Sequence, residues 1–363
     1  MVPLLLGTGI NGKFITTGEL PFFCRQRLNN ASLPGWEQKI LQFILLFLDP
    51  AASIVQESSG TTGIPKEIHL SKDSMIRSAL QTIKKFRLGK GHTALLCLST
   101  DYIAGKMMIV RTLVAGMDLI WIEPSACPAV SQKNTIDLCA MVPLQVYNLI
   151  GEGKSFSGIK NLLIGGSEIS PELESHLKTV PSRIYETFGM AETCSHIALR
   201  RINGRSATPW FITMQGVKTG TDPRGCLVIE APFLPDRVIT NDVVDIMGKN
   251  HFLWKGRIDN LINSGGIKIN PEHLEKMIVE ILGHESYIVG IPDIKLGQKL
   301  VMVTTHSCSS GEKATMLDTL RDKLPCYHLP AEIMVLHSFP RNRSLKIDRA
   351  RLYEETTKRT MKS

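Results

Sequence analysis

One rhythm narrows the fold more than anything else in the chain. Short β-branched or apolar runs at residues 94–98, 119–122, 162–164 and 227–229 alternate with amphipathic stretches. Runs of this length suit strands buried on both faces, and strands that alternate with helical segments build parallel β-α-β layers. Between them, Met75, Ala79, Ile83 and Phe86 recur at helical spacing over residues 71–87, with Ser71 as the N-cap. A second helix is expected to open at Ser170-Pro171-Glu172, since proline suits the first turn. A chain of 363 residues exceeds one compact core. After Trp254 the composition changes. Asn270-Pro271-Glu272 opens an amphipathic helix to Leu282, strands are expected at 287–290 and 300–305, and a helix at 313–324. The expectation is an α/β protein: a large N-terminal α/β domain with mixed or parallel sheets over residues 1–256, then a smaller α+β domain over 257–363, with the boundary near Asp259.

Composition excludes several classes. Hydrophobic residues make up 43% and charged residues 21%, which separates the chain from disordered ones. The net charge of +8 favours anions, but the basic residues form no long run and aromatics are only 6%, so small anionic ligands are expected and no nucleic acid. Apolar stretches such as 40–48 fall short of the roughly 20 residues that span a bilayer, so no stable membrane insertion is expected. The apolar residues 1–6 have no basic stretch before them and no small-residue cleavage site after, which points to the cytoplasm. Eight cysteines without Cys-x-x-Cys spacing read as reduced thiols, not as a zinc site or disulfide frame.

The chemistry is concentrated first in Ser58-Ser59-Gly60-Thr61-Thr62-Gly63-Ile64-Pro65-Lys66. Glycines allow close backbone approach, hydroxyls donate to phosphate oxygens, and Lys66 adds fixed positive charge. Pro65 before the lysine and Glu67 after it depart from the Walker spacing. A plain Ser/Thr/Gly turn is the alternative.

This stretch resembles the phosphate loop of the adenylate-forming superfamily, which includes acyl-CoA synthetases, adenylation domains and luciferases. Further matches follow in the family's order: Gly165-Gly166-Ser167 resembles its adenine loop, and residues 185–193, with Phe188, Gly189 and Glu192, its aromatic-Gly-x-Thr-Glu motif. Then come Thr240-Asn241-Asp242, Gly256-Arg257-Ile258-Asp259, Ser264-Gly265-Gly266 and the segment 340–346 ending in Lys346. The resemblance implies ATP, Mg2+ and coenzyme A as ligands. Ser59 to Gly63 and Lys66 would hold phosphates, Glu192 would contact Mg2+, Asp242 the ribose, and Arg257 ribose or phosphate. Lys346 would bridge carboxylate and phosphate oxygens during adenylation. Rotation of the small domain about Asp259 would then present Gly265 and Gly266 to the pantetheine channel. Taken alone, Glu192 and Asp242 could be solvated turn residues, Arg257 an ion-pair partner, Lys346 a solvated charge and the two glycines a plain turn.

The acyl pocket is expected between the phosphate loop and the Glu192 motif. Tyr102 stands where the family has a gate residue, and Lys106 and Arg111 are charges within an otherwise apolar helical run. A buried cation needs an anion, which a dicarboxylic substrate supplies; a structural salt bridge is the alternative for Arg111. Residues 141–145, 192–196 and 256–266 look most like the o-succinylbenzoate–CoA ligases of menaquinone biosynthesis. In that reading Arg111 pairs with the second carboxylate, Ser195 lies near the aryl or keto portion, and His196 is a pocket wall. Ala191 replaces the usual Thr, Asn241 the usual Gly before Asp242, and Leu345 the usual Gly before Lys346; part of the usual N-terminal subdomain is absent or reduced. The expected partners are a small carboxylic acid, ATP and CoA, and a homodimer is compatible with the sequence. Rival readings are a ligase for another acid, an adenylase serving a carrier-protein thiol, and a nucleotide-binding regulatory protein without turnover.

Overall fold

The strand Gly7–Ile10 reverses through Asn11 and Gly12 into Lys13–Thr16. Both turn residues have positive φ, 48° and 82°, and Asn-Gly is the pair that a two-residue hairpin turn of this hand favours. The Asp118 carboxylate accepts from the Gly12 amide at 3.0 and 3.2 Å, fastening the turn to the strand Asp118–Trp121, which runs parallel to Gly7–Ile10. Gly9 lies so close over Asp118 that a side chain there would collide with it. This hairpin forms one margin of a mixed sheet.

The computed structural model describes residues 7–57, 67–131, 135–342 and 346–360, which fall into two compact units. The first comprises Met1–Ile169, Leu177–Lys218 and Glu230–Val238; the second comprises Ser170–His176, Thr219–Ile229 and Ile239–Ser363. From the hairpin inward, the sheet of the first unit runs through Asp118–Trp121, Thr93–Leu96, Leu138–Met141, Asn161–Ile164 and Arg183–Gly189, all parallel. His196–Arg201 and Phe211–Thr213 then extend it antiparallel. The strands fall on the expected apolar runs, and Asn161–Ile164 is buried at every position, as a parallel strand covered on both faces should be.

Two helices of this unit bear on the site. Lys72–Phe86 starts where expected: the Ser71 hydroxyl accepts from the Ser74 amide, and Arg87 closes the helix in the left-handed conformation. Ile103–Ala115 is apolar almost all round and buried from Met107 onward, ending at the left-handed Gly116. Gly105 lets it cross tightly over the Ser99 carbonyl.

In the second unit, Ser286–Asp293 and Gly297–Thr304 form an antiparallel pair, and Glu332–Val335 joins the latter in parallel. Alternation along these strands builds two cores. Ile288, Leu300 and Met302 pack with Leu274 and Ile278 of helix Pro271–Leu282 and with Leu320 of helix Ser310–Lys323. Val289, Ile291, Val301 and Val303 face the other way and meet Leu352 of helix Arg349–Thr360. The Asn270 side chain caps the first of these helices by accepting from the His273 amide, and a Ser309/Glu312 capping box starts the second three residues earlier than expected. The cysteines form no disulfide, and among the described residues no helix is long and apolar enough to cross a membrane.

Candidate active site

Residues 58–66, with Ser59, Gly60, Thr61, Thr62, Gly63 and Lys66, lie outside the described residues. The strands on either side, Ser53–Glu57 and Glu67–Ser71, pair so that Glu57 faces Glu67.

Two motifs of the first unit stand at the carboxyl ends of neighbouring parallel strands, the edge at which open α/β sheets bind ligands. Gly165 follows the strand Asn161–Ile164, and its amide donates to the Met141 carbonyl at 3.1 Å. Thr187 of the next strand lies against Gly165 where a side chain would stand, and Gly166 has φ +95°, so the pair is glycine for steric reasons on both counts. Ser167 beside them is exposed. On the next strand, Phe188 packs edge-to-face on Phe211 at 5.7 Å, and Gly189 admits the Ser195 carbonyl and His196 backbone. The chain then turns through the 3-10 helix Ala191–Thr193. Thr193 locks the turn: its hydroxyl accepts from the Met190 amide at 3.0 Å and lies 2.7 Å from the Ser195 carbonyl. Glu192 is left exposed at the tip.

Behind this turn lies a buried guanidinium. Arg111, 2% exposed, donates to the Ser195 hydroxyl and approaches the Met108 sulfur at 3.8 Å; its Nε has no hydrogen-bond partner. No carboxylate pairs with it among the described residues. Burial pushes Arg111 down to about 10. Next to it, His196 is buried with Nε2 3.0 Å from the Thr82 hydroxyl, and burial, with Arg111 adding to it, holds the imidazole well below its ordinary value. Tyr102 is half-buried at the N-cap of helix Ile103–Ala115. Lys106, one turn on, donates to Gln56 Oε1 at 2.6 Å and lies 5.9 Å from the Phe43 ring centre. Burial lowers its pKa, while Asp101 and Glu57 act against that. Lys106 thus has polar protein partners, whereas among the described residues Arg111 has a hydroxyl and a thioether.

The second unit holds the later motifs. Asp242 is buried, its Oδ1 accepting from Trp254 Nε1 at 2.9 Å, and burial raises its pKa against that bond. Arg257 is its cross-strand partner and donates to Asp259 at 2.7 Å. Burial opposes the charge on Arg257, but Asp259 and Asp242 outweigh it and raise the pKa. Asn241 braces the same turn, donating to Asp259 at 2.9 and 3.1 Å and accepting from Arg224 at 3.0 Å. Its side chain makes bonds that a glycine could not. Burial and the Arg257 charge lower the pKa of Lys346. Gly265 and Gly266, φ +59° and +83°, are the exposed two-residue turn between Ile262–Ser264 and Ile267–Ile269.

Residues 51–217 match the AMP-binding enzyme family. An acyl-CoA synthetase (AMP-forming)/AMP-acid ligase II-like protein from Dyadobacter fermentans is 32% identical, with 92% of this chain and 98% of that one covered and a TM-score of 0.60. The chain belongs to the AMP-binding family, the adenylate-forming acid–CoA ligases. Among its relatives, 2-succinylbenzoate–CoA ligase of Bacillus cereus is 25% identical over 334 residues, covering 81% of this chain and 68% of its own length. The o-succinylbenzoate CoA synthetase (MenE) of Bacillus subtilis, solved with the acyl-adenylate intermediate OSB-AMP, shares the fold at a TM-score of 0.69 and 20% identity, with 82% and 68% of the two chains covered.

Several residues that shape this site were given no role from the sequence. Gln145 is buried and holds three strand ends together: its amide donates to the carbonyls of Cys97 and Ser125 at 3.1 and 2.8 Å, and its Oε1 accepts from the Val142 amide at 3.1 Å. Glu186 is buried in an ion pair with Arg200 at 2.7 Å and accepts from the Ile169 amide, joining the segment after Ser167 to the strand that carries Phe188. Trp254 marked only a change of composition in the sequence; its indole is the partner of Asp242.

Proposed function

We propose that this protein activates a carboxylic acid with ATP, forming an acyl-adenylate and pyrophosphate, and then transfers the acyl group to the thiol of coenzyme A, releasing AMP. The acid is o-succinylbenzoate, which places the reaction in cytoplasmic menaquinone biosynthesis. The observation that carries the choice of acid is the buried Arg111: a guanidinium with a hydroxyl partner and no described carboxylate suits an anionic group brought by the substrate. Relatives named for the same acid support it.

In the first half-reaction, Lys66 and the hydroxyls around it steady the phosphates while Lys346 approaches the carboxylate and α-phosphate, spreading the charge that gathers there. Glu192 suits Mg2+. Among the described residues no three His, Cys, Asp or Glu side chains gather as a metal cage, and Mg2+ is commonly held by one or two carboxylates together with substrate phosphates. Bound there, the ion would neutralise phosphate charge. Gly165, Gly166 and Ser167 receive the adenine, and Asp242 and Arg257 the ribose. For the second half-reaction, residues 257–363 rotate about Asp259, withdraw Lys346 and bring Gly265 and Gly266 to the pantetheine arm.

Incubation with ATP, Mg2+ and o-succinylbenzoate should yield the acyl-adenylate by mass spectrometry, and adding CoA should convert it to the thioester. If other acids form adenylates and o-succinylbenzoate does not, the assigned acid is wrong. Absence of any adenylate with a broad panel of acids would overturn the enzymatic reading.

A further inference from the structure

Lys346 belongs to a segment closed on itself. Its amide donates to Asn342 Oδ1 at 3.1 Å, its carbonyl accepts from the Asn342 amide at 2.8 Å, Arg341 and Ile347 bridge, and the Asp348 amide donates to the Pro340 carbonyl at 2.9 Å. These bonds tie Lys346 to residues 340–342 and 348, so its position depends on what holds that base. Asp348 caps the next helix by accepting from the Arg351 amide at 3.1 Å, and the first residue of that helix is Arg349.

Arg349 reaches past the edge strand Ser286–Asp293 to helix Pro271–Leu282. It donates two hydrogen bonds to the buried Glu275, at 3.0 and 2.8 Å, and lies 3.6 Å from Glu272 and 5.7 Å from the Tyr287 ring centre. Burial works against the arginine's charge, but Glu275 outweighs it and raises the pKa. Glu275 also accepts the Ile288 amide of the edge strand at 2.8 Å, so its carboxylate is fixed from two sides. Glu272 extends the chain of contacts: Asn260, in the turn that contains Asp259, donates to its Oε1. Glu272 Oε2 has no hydrogen-bond partner and lies close over Gly256, where an added Cβ would stand 2.8 Å away.

We propose that Arg349 is a positioning residue for Lys346. Its clasp on Glu275 and Glu272 sets where the lysine stands, and Asn260 ties that clasp to the turn at Asp259. The inference rests on the adenylation role given to Lys346 above. Misplacing a reacting group by about 1 Å can cost on the order of a hundredfold in rate. The effect should be confined to the half-reaction that uses Lys346.

The test measures each half-reaction apart, in Arg349→Met, Arg349→Lys and the milder Glu275→Gln. ATP–pyrophosphate exchange with o-succinylbenzoate should fall about tenfold to a hundredfold in Arg349→Met and less in Arg349→Lys, while thioester formation from supplied acyl-adenylate and CoA stays at the wild-type rate. Equal loss in both assays, or loss in neither, overturns the proposal. A second readout needs no turnover: acetic anhydride labelling of Lys346, followed by peptide mass spectrometry, should be faster in Arg349→Met and Glu275→Gln than in wild type. Unchanged labelling in folded variants overturns the clasp even if the wild type activates no acid, an outcome that would count separately against the proposed function.

Discussion

The two units bury charge in opposite ways. Around Arg111 the first unit supplies a hydroxyl, a thioether and a histidine whose protonation burial and the arginine itself disfavour. Around Arg349 the second unit supplies two carboxylates and an aromatic face. A buried charge already matched by the fold holds parts of the fold in place, whereas one left unmatched is stabilised only when something else brings the counter-charge. The same residue type therefore serves as scaffold in one place and suits ligand recognition in the other.

Removing one partner from the matched network should have the larger effect. Glu275→Ala strands Arg349 and leaves the Ile288 amide without its acceptor, and should destabilise the second unit by about 3 kcal/mol, read by hydrogen exchange of the Ile288 amide and its strand neighbours along a urea series. A loss below about 0.5 kcal/mol would show that the network is no tighter than a surface ion pair. Arg111→Met should do the reverse. It removes a charge that burial disfavours, so the thermal midpoint should hold or rise, while kcat/KM for the dicarboxylic acid falls about a hundredfold, roughly 3 kcal/mol. A drop in stability with unchanged kcat/KM would make Arg111 structural.

The smallest effect concerns His196. Its folded pKa lies below the ordinary 6.5 because of burial and Arg111, so the unfolded chain takes up a proton that the folded one refuses. Its contribution is fully present above 6.5 and is lost as pH falls from there toward the folded value, with a slope of at most about 1.4 kcal/mol per pH unit. His273 and His284, lowered mainly by burial, act with the same sign, so the informative quantity is the difference between wild type and His196→Gln. The variant should lose less stability than wild type between pH 7.5 and 5.5; identical losses would show that His196 titrates freely.

What could be read from the sequence was local. Ser71 announced its helix because an N-cap acts within three residues, and Gly265-Gly266 allowed a turn because positive φ excludes most side chains. Arg111 stood out as a charge in an apolar run, but whether a described carboxylate meets it depends on everything the fold brings near it. The clasp joins residues 74 apart, and neither Glu275 nor Arg349 differs locally from a solvated helical charge. Asn241 read as a departure from a glycine; only the fold shows Arg224 and Asp259 on either side of it.

The opening hairpin has one more consequence. Lys13–Thr16, four residues long with a single buried position and a lysine at its start, makes a poor template for another chain. Stripped of residues 7–16, the flank of Asp118–Trp121 would offer its amides and carbonyls to any passing β-segment, and samples cut there should form sedimenting aggregates while uncut ones stay dispersed.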